Sequence, residues 1–539
     1  MANSPRKPLE TEGVELASAK QPRPSRVAVS RRGMVSSAHF LATQAGVRVL
    51  EEGGNAVDAA VATAFALGVC EPAASGLGGQ TMMLIFDAES KRKIALDGSS
   101  RAPHRAIPQS LSAAERRRGY KACTVPSTPA TLDYARKRYG RLKLSQLLAP
   151  AIEMAENGCP VTELQHALTS REREHLRKGT AGTLFLIKGK RVPSVGYRLK
   201  QPILAQTLRR LARYGIKSFY TGRIARLVEE DMVRNDGLIR RDDLAQIPWP
   251  LERRPVSGAF RGCRLFTMPP PGAGRTLIEM LNILGHFKPN QYDPETPRGA
   301  VLLAKIIRRA FLDREDRPFD PNFYSQVATK QMLASEYAEK LARQLRKQIK
   351  SRGETTHLSV MDREGNAVAL TQSIENVYGS CQASPELGFL YNNYMSAFDY
   401  NDISHPYHMR PNAVPWASVA PTIVFRGRKP WLAIGSPGSQ RITPSILQVL
   451  IRLLAGRTPF AAVDAPRLFC SLNGKVSLEA ARMRDDIPEA LVRHWLDVDV
   501  RDPYSFYLGC VQLVACERNV FTGVADPRRD GSPGAPKAP

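Results

Sequence analysis

Few stretches of this chain carry side chains at a spacing that suits chemistry, and the foremost is Gly353-Glu354-Thr355-Thr356-His357. A threonine hydroxyl is a poor nucleophile unless a base stands beside it. A threonine at the start of a strand is ordinarily a β-branched residue in its preferred place. Here two threonines open an alternating run that ends at Asp362; the turn Arg363-Glu364-Gly365-Asn366 follows, and Ala367 to Ser373 alternates again. The pattern predicts a hairpin whose first strand begins with those threonines.

Other candidates carry less. The run Gly76-Leu77-Gly78-Gly79 lacks the lysine of a phosphate loop and precedes a strand rather than a helix, which argues against nucleotide binding. The eight cysteines show no CxxC pair and no regular framework, so reduced, buried thiols are expected. No metal-ligand cluster or nucleotide signature appears, and neither a metal nor a cofactor is expected.

Composition bounds the rest. At 539 residues, with 43% hydrophobic and 24% charged residues, the chain has the make-up of a globular protein. Its net charge of +26 is unusual. The basic residues are spread along the chain and interleaved with acids, as in Arg171-Glu172-Arg173-Glu174, so a solvated basic exterior is expected and no specific nucleic-acid partner. Residues 1–32 are rich in Pro, Ser, Lys and Arg and lack an apolar core, which predicts a disordered basic tail rather than a secretory signal. No stretch is long enough to cross a bilayer. The expectation is a cytoplasmic protein with no membrane partner.

The elements that must position Thr355 follow from periodicity. Gly33 to Ser37 reads as a strand, Leu41 to Glu52 as a helix closed by Gly53-Gly54, and Asn55 as the cap of an all-apolar, buried helix from Ala56 to Val69. Strands are predicted over Thr81–Phe86, Lys93–Leu96, Val256–Phe266, Ser418–Phe425 and Pro430–Ile434, and a short strand and loop over Leu390–Met395. Helices are predicted over Leu204–Tyr214, Ile224–Val233, Thr276–Leu284, Val301–Leu312, Lys330–Lys350 and Ile442–Leu454. Strands and helices cluster rather than alternate, which favours layered α+β packing.

The chain resembles the γ-glutamyltransferases (glutathione hydrolases) of the N-terminal-nucleophile hydrolases. The resemblance rests on Gly53-Gly54-Asn55-Ala56-Val57-Asp58-Ala59-Ala60, Glu71-Pro72, Gly76-Leu77-Gly78-Gly79 and Met268-Pro269-Pro270-Pro271. It continues through Thr355-Thr356-His357, Gly365-Asn366-Ala367-Val368, Ala420-Pro421-Thr422-Ile423, Gly435-Ser436-Pro437-Gly438 and Asp526-Pro527-Arg528-Arg529. Each motif is weak alone; the ordered set, over roughly residues 33 to 531, is specific.

What the resemblance implies is a four-layer αββα fold made as a proenzyme. Residues 33–531 would form one catalytic domain, with 532–539 a tail. The Glu354–Thr355 bond would be cut autocatalytically into a large subunit, 1–354, and a small one, 355–539. Cleavage frees the Thr355 α-amine, whose reference pKa near 8 suits proton transfer at neutral pH, so one residue supplies nucleophile and base. By the same resemblance Gly438 and Ser439 would offer oxyanion-hole N–H groups, and Ser373 would support the nucleophile with its hydroxyl.

The family's γ-glutamyl ligands are less well kept. Its carboxylate-binding arginine falls at Ser99, an asparagine becomes Glu375, the aspartate for the α-amino group falls at Ala397, and of two serines only Ser418 remains beside Ala417. Arg101 and Asp399, each two residues further on, could face the same way on an extended chain. Three readings stay open: a γ-glutamyl hydrolase or transferase with rearranged ligands, an amidohydrolase acting on a small-molecule amide with a non-glutamyl acyl group, and an uncleaved, non-catalytic binding protein.

Overall fold

The structure, a computed structural model, describes residues 25–246, 250–316 and 355–537. The expected helix at 330–350, the residue Glu354 and the first 24 residues of the basic tail lie outside them.

Local sequence sets the first helices. Asn55 caps α2 (Ala56–Cys70) by accepting from the Val57 and Asp58 N–H groups, and Asp58 returns the favour to the Asn55 N–H at 3.1 Å. Such a reciprocal cap is worth about 1 kcal/mol. Asp362 ties this helix to the nucleophile hairpin: one carboxylate oxygen accepts from Ala56 N–H at 2.9 Å and the other from Glu364 and Asn366 in the turn. Helix α1 (Phe40–Glu51) packs beside α2.

The strands form two seven-stranded sheets, antiparallel throughout. The first holds β2 (Gly33–Ser37), β3 (Gln80–Phe86), β4 (Lys93–Gly98), β7 (Leu251–Arg253), β10 (Thr356–Asp362), β11 (Ala367–Ser373) and β19 (Ser532–Gly534), in the order β19-β2-β10-β11-β3-β4-β7. The second holds β1 (Val27–Ser30), β8 (Val256–Phe260), β9 (Cys263–Thr267), β12 (Thr422–Arg426), β13 (Lys429–Gly435), β17 (Gln512–Glu517) and β18 (Val520–Ala525), in the order β1-β18-β17-β13-β12-β9-β8. Short pairs complete the strands: β5 (Cys159–Pro160) with β6 (Arg198–Leu199), and β14 (Leu468–Cys470) with β15 (Lys475–Leu478) and β16 (Asp497–Val500).

Alternating side chains stack these sheets face to face. Met82, Leu84, Met361 and Ala369 of the first sheet meet Ile423, Phe425, Ala433 and Val514 of the second in one core. The opposite faces, with Met83, Ile85, Leu358 and Val360 on one side and Val424, Leu432, Ile434 and Leu513 on the other, are covered by helices. Four layers result, helix-sheet-sheet-helix, which is the αββα arrangement expected. Strands buried on both faces read as unbroken apolar runs, as in Thr81 to Phe86.

Four expectations are corrected. The basic tail of 1–32 does not run to Arg32: β1 pairs with β18 from Val27↔Val524 to Ser30↔Phe521. Nor is 532–539 all tail, because β19 pairs with β2 from Ser532↔Ser37 to Gly534↔Val35. Each terminal strand covers a sheet edge that would otherwise present unpaired N–H and C=O groups. The strand expected over Val256–Phe266 is a hairpin, since Arg261 and Gly262 turn it with φ of 48° and 77°, the signature of a two-residue loop. Finally, Leu390–Met395 forms no ladder strand, only the bridges Ala383↔Leu390 and Gly78↔Tyr391 and a helical turn at Tyr394–Ala397.

Candidate active site

Register alone gathers the site at one end of the sandwich. In the first sheet that end holds the start of β10, the close of β11, the start of β3 and the close of β4. In the second it holds the close of β13, the start of β12 and the close of β9. The two ends are held together where Gly435 lies against the ring of His357. Carrying the pairing Thr356↔Gln372 one residue further sets Thr355 opposite Ser373. Thr355 is buried, and by alternation it shares with His357 the face toward the second sheet.

Around this pair the first sheet contributes a polar floor. The Ser373 hydroxyl accepts from Glu375 N–H at 2.9 Å, a contact allowed because Glu375 turns the chain with φ of 74°. Ser373 pairs on its other side with Gln80, whose amide oxygen accepts from the N–H and the hydroxyl of Ser100 at 2.9 and 3.0 Å. Tyr394, buried, brings its phenol to Ser373 and Gln80. Burial, with the nearby Glu375 charge adding, pushes that phenol up and keeps it neutral.

The second sheet supplies the turn. Gly438, with φ of 115°, and Ser439, with φ of 55°, both occupy the left-handed region before the helix Ile442–Leu454. Their N–H groups fall where a helix N-terminus leaves donors unspent. Ser436 braces this turn by accepting from Cys510 N–H at 2.9 Å. Beneath it, His357 bonds Thr371 at 2.8 Å and Ser359 at 3.1 Å, and burial pushes its imidazole down to about 3, so it is neutral.

The remaining expected residues stand on loops around this group. Ser99 gives its hydroxyl to one oxygen of Asp97, whose other oxygen is paired with Arg253 at 2.9 Å. Arg101 donates to the Asn412 carbonyl at 3.1 Å, reaching the 397–419 segment. Ser418 lies in that segment, whose backbone is strapped to the Pro269–Gly274 loop through Ala417 N–H to Pro271 O and Ala273 N–H to Val419 O. One Asp399 carboxylate oxygen, Oδ1, accepts from the Asn401 and Asp402 N–H groups at 3.0 and 2.7 Å. The strands thus bring together Thr355, Ser373 and Glu375, with Ser99, Arg101 and Ser418 on the rim.

Sequence reasoning missed Tyr394, although it falls within the stretch Leu390–Met395 already singled out. It also gave no role to Glu71, whose carboxylate accepts from the Thr356 hydroxyl at 2.6 Å and pairs with Arg529. Among the described residues no three His, Cys, Asp or Glu side chains are grouped to hold a metal ion.

Known proteins share this arrangement across nearly their whole length. The glutathione hydrolase proenzyme of Bacillus subtilis (strain 168) is 32% identical over 96% of this chain and 94% of its own. The acylase ACY 1 proenzyme of Pseudomonas sp. (strain V22) is 33% identical over 94% of each. The crystal structure of cephalosporin acylase from Bacillus halodurans superposes with a TM-score of 0.87 at 29% identity, covering 97% of this chain and 99% of that one. The family profile described as gamma-glutamyltranspeptidase matches residues 42–535. With the motifs, the four layers and the buried Thr355 in agreement, the chain belongs to the gamma-glutamyltranspeptidase family.

Proposed function

We propose that the chain cleaves itself between Glu354 and Thr355 and then works as an N-terminal threonine hydrolase or acyltransferase on a small-molecule amide. The supporting observation is the register that sets Thr355 opposite Ser373, at the end of the sandwich where Gly435, just before the Gly438-Ser439 turn, meets His357. Cleavage would leave residues 1–354 and 355–539 as two subunits of one precursor. The Thr355 Oγ then attacks the amide carbonyl while its own α-amine takes the hydroxyl proton. The Gly438 and Ser439 N–H groups receive the negative charge on the carbonyl oxygen, a service worth about 3 kcal/mol per donor in comparable hydrolases. The C–N bond breaks, the proton passes to the departing amine, and water or an acceptor amine releases the acyl group.

For the acyl donor the reading favours a γ-glutamyl compound such as glutathione, or a related amide. One observation supports the alternative of an acylase for non-glutamyl groups. Glu375 follows Ser373 closely enough for its N–H to meet the Ser373 hydroxyl, and the Ser99 hydroxyl is spent on Asp97, so an acid and a serine stand where the family offers an asparagine and an arginine. A cytoplasmic location is part of the same reading, supported by eight cysteines that form no disulfide; cell fractionation tests it.

The experiment is direct. Purified protein is run on a denaturing gel, the mature N-terminus is read by mass spectrometry, and hydrolysis of a γ-glutamyl anilide is compared with a panel of simple acyl amides. Two fragments with Thr355 leading the smaller support the reading; a single 59.5 kDa chain, or another first residue, refutes it.

A further inference from the structure

The nucleophile sits at a weakly held chain end. β10 starts at Thr356, paired with Gln372 on one side, but its other neighbour, β2, runs out at Ser37 opposite Leu358. Thr355 and Thr356 therefore have a sheet partner on one flank only. Once the bond before Thr355 is cut, the nucleophile is an N-terminus of the kind that frays unless it is tied down.

A tie is present. Thr356, wholly buried, points to the helical side of its sheet, opposite in sense to Thr355, and its hydroxyl donates to Glu71 Oε2 at 2.6 Å. Glu71 ends α2, with its N–H on the Leu67 carbonyl. Its second oxygen receives the Arg529 guanidinium. Arg529 is itself fixed, its side chain 2% exposed and seated over the Phe506 ring, and its carbonyl accepts from Arg26 at 2.8 Å. Glu71 comes from the segment before the proposed cut; Thr356 and Arg529 come from after it.

Resting on the reading of Thr355 given above, we infer that Glu71 is a positioning residue. Gripped by Arg529, it holds Thr356 from behind, so that Thr355 keeps its aim into the cleft after the chain is cut. A charge-assisted bond of this length is roughly twice as strong as a neutral one. In the uncut chain Thr355 is tethered on both sides, so the clamp matters little there. In the cut enzyme Thr356 is its only tether, and turnover depends on the clamp.

The test uses the full-length chain with Glu71→Gln, Thr356→Val and Thr356→Ser, each scored for cleavage, thermal midpoint, and kcat and KM on the amide that the wild type hydrolyses best. Glu71→Gln and Thr356→Val are expected to cleave to completion, keep KM within twofold and lose at least tenfold in kcat. Thr356→Ser, which restores the hydroxyl, is expected to stay near wild type. Wild-type kcat in the first two variants overturns the inference. So does a Thr356→Ser variant as slow as Thr356→Val, or a loss of cleavage, KM and thermal midpoint in step. Should Glu71→Gln fail to fold, the Thr356 pair decides alone. A wild type that cleaves elsewhere than at Thr355 instead defeats the underlying reading.

Discussion

Gly435 closes β13 directly against the imidazole of His357, two residues along β10 from the nucleophile. A Cβ at Gly435 would stand 2.1 Å from the ring's Cε1 atom. The ring cannot easily give way, since Thr371 and Ser359 hold both its nitrogens. Gly435→Ala is therefore expected to push the Gly438-Ser439 turn away from Thr355. The cost of such overpacking is about 1–3 kcal/mol, and a tenfold or larger fall in turnover should accompany it. A melting curve and an amide hydrolysis rate check both; wild-type values would mean that the two sheets slide to make room.

Ser439 holds a conformation that suits glycine, with φ of 55°. Replacing it with glycine removes strain of about 1 kcal/mol. The donor it offers is a backbone N–H, which Ser439→Gly keeps. The expected variant is slightly more heat-stable and close to wild type in rate. A large loss of activity would show that the hydroxyl itself takes part.

Glu375 and Ser99 are the positions from which acyl selectivity should be moved. Two unit charges 4 Å apart interact by about 4 kcal/mol near a protein surface. Glu375→Asn combined with Ser99→Arg is expected to raise kcat/KM for a γ-glutamyl anilide at least tenfold while leaving simple acyl amides unimproved. Equal change on both classes would place the acyl pocket elsewhere.

Two buried groups make opposite contributions to stability as pH changes. Burial lowers His357 to about 3, so at pH 5 the unfolded chain binds a proton there that the folded chain does not. That costs about 2 kcal/mol, growing as pH falls from the unfolded pKa near 6.5 toward 3. Burial raises Asp530 to about 6, with the Glu71 charge also raising it and the Thr162 hydroxyl acting against it. Its favourable contribution is complete below the unfolded value near 4 and is lost as pH rises through 6. Asp530→Asn should therefore raise the thermal midpoint more at pH 8 than at pH 4.5. A gain of the same size at both values would show that Asp530 is not raised in the fold.

Sequence by itself determined the family and the layers, and it singled out Thr355 as the candidate nucleophile. Cap and turn chemistry at Asn55, Asp58 and Asp362 acts over a few residues, and the apolar run of β3 and the alternation of β10 are strand patterns, so these were legible without coordinates. The supporting role expected of Ser373 came from the family resemblance, while its place at the end of the hairpin was legible from the alternation.

Tertiary structure decided what depends on partners far apart in the chain. That β1 and β19 are strands follows from the sheet edges they cover, which no local pattern announces. The turn at Arg261 and Gly262 splits an apparently continuous strand because two residues take positive φ. Tyr394 reaches Ser373 and Gln80 only once three segments are folded together, and Asp399 spends one carboxylate oxygen on its own turn. Glu71, Thr356 and Arg529 are separated by hundreds of residues, and their pairing follows from antiparallel register and the end of α2. Side-chain identity shows which chemistry is available; only packing settles which groups share a site, because hydrogen bonds and charges act over a few ångströms of space and not along the sequence.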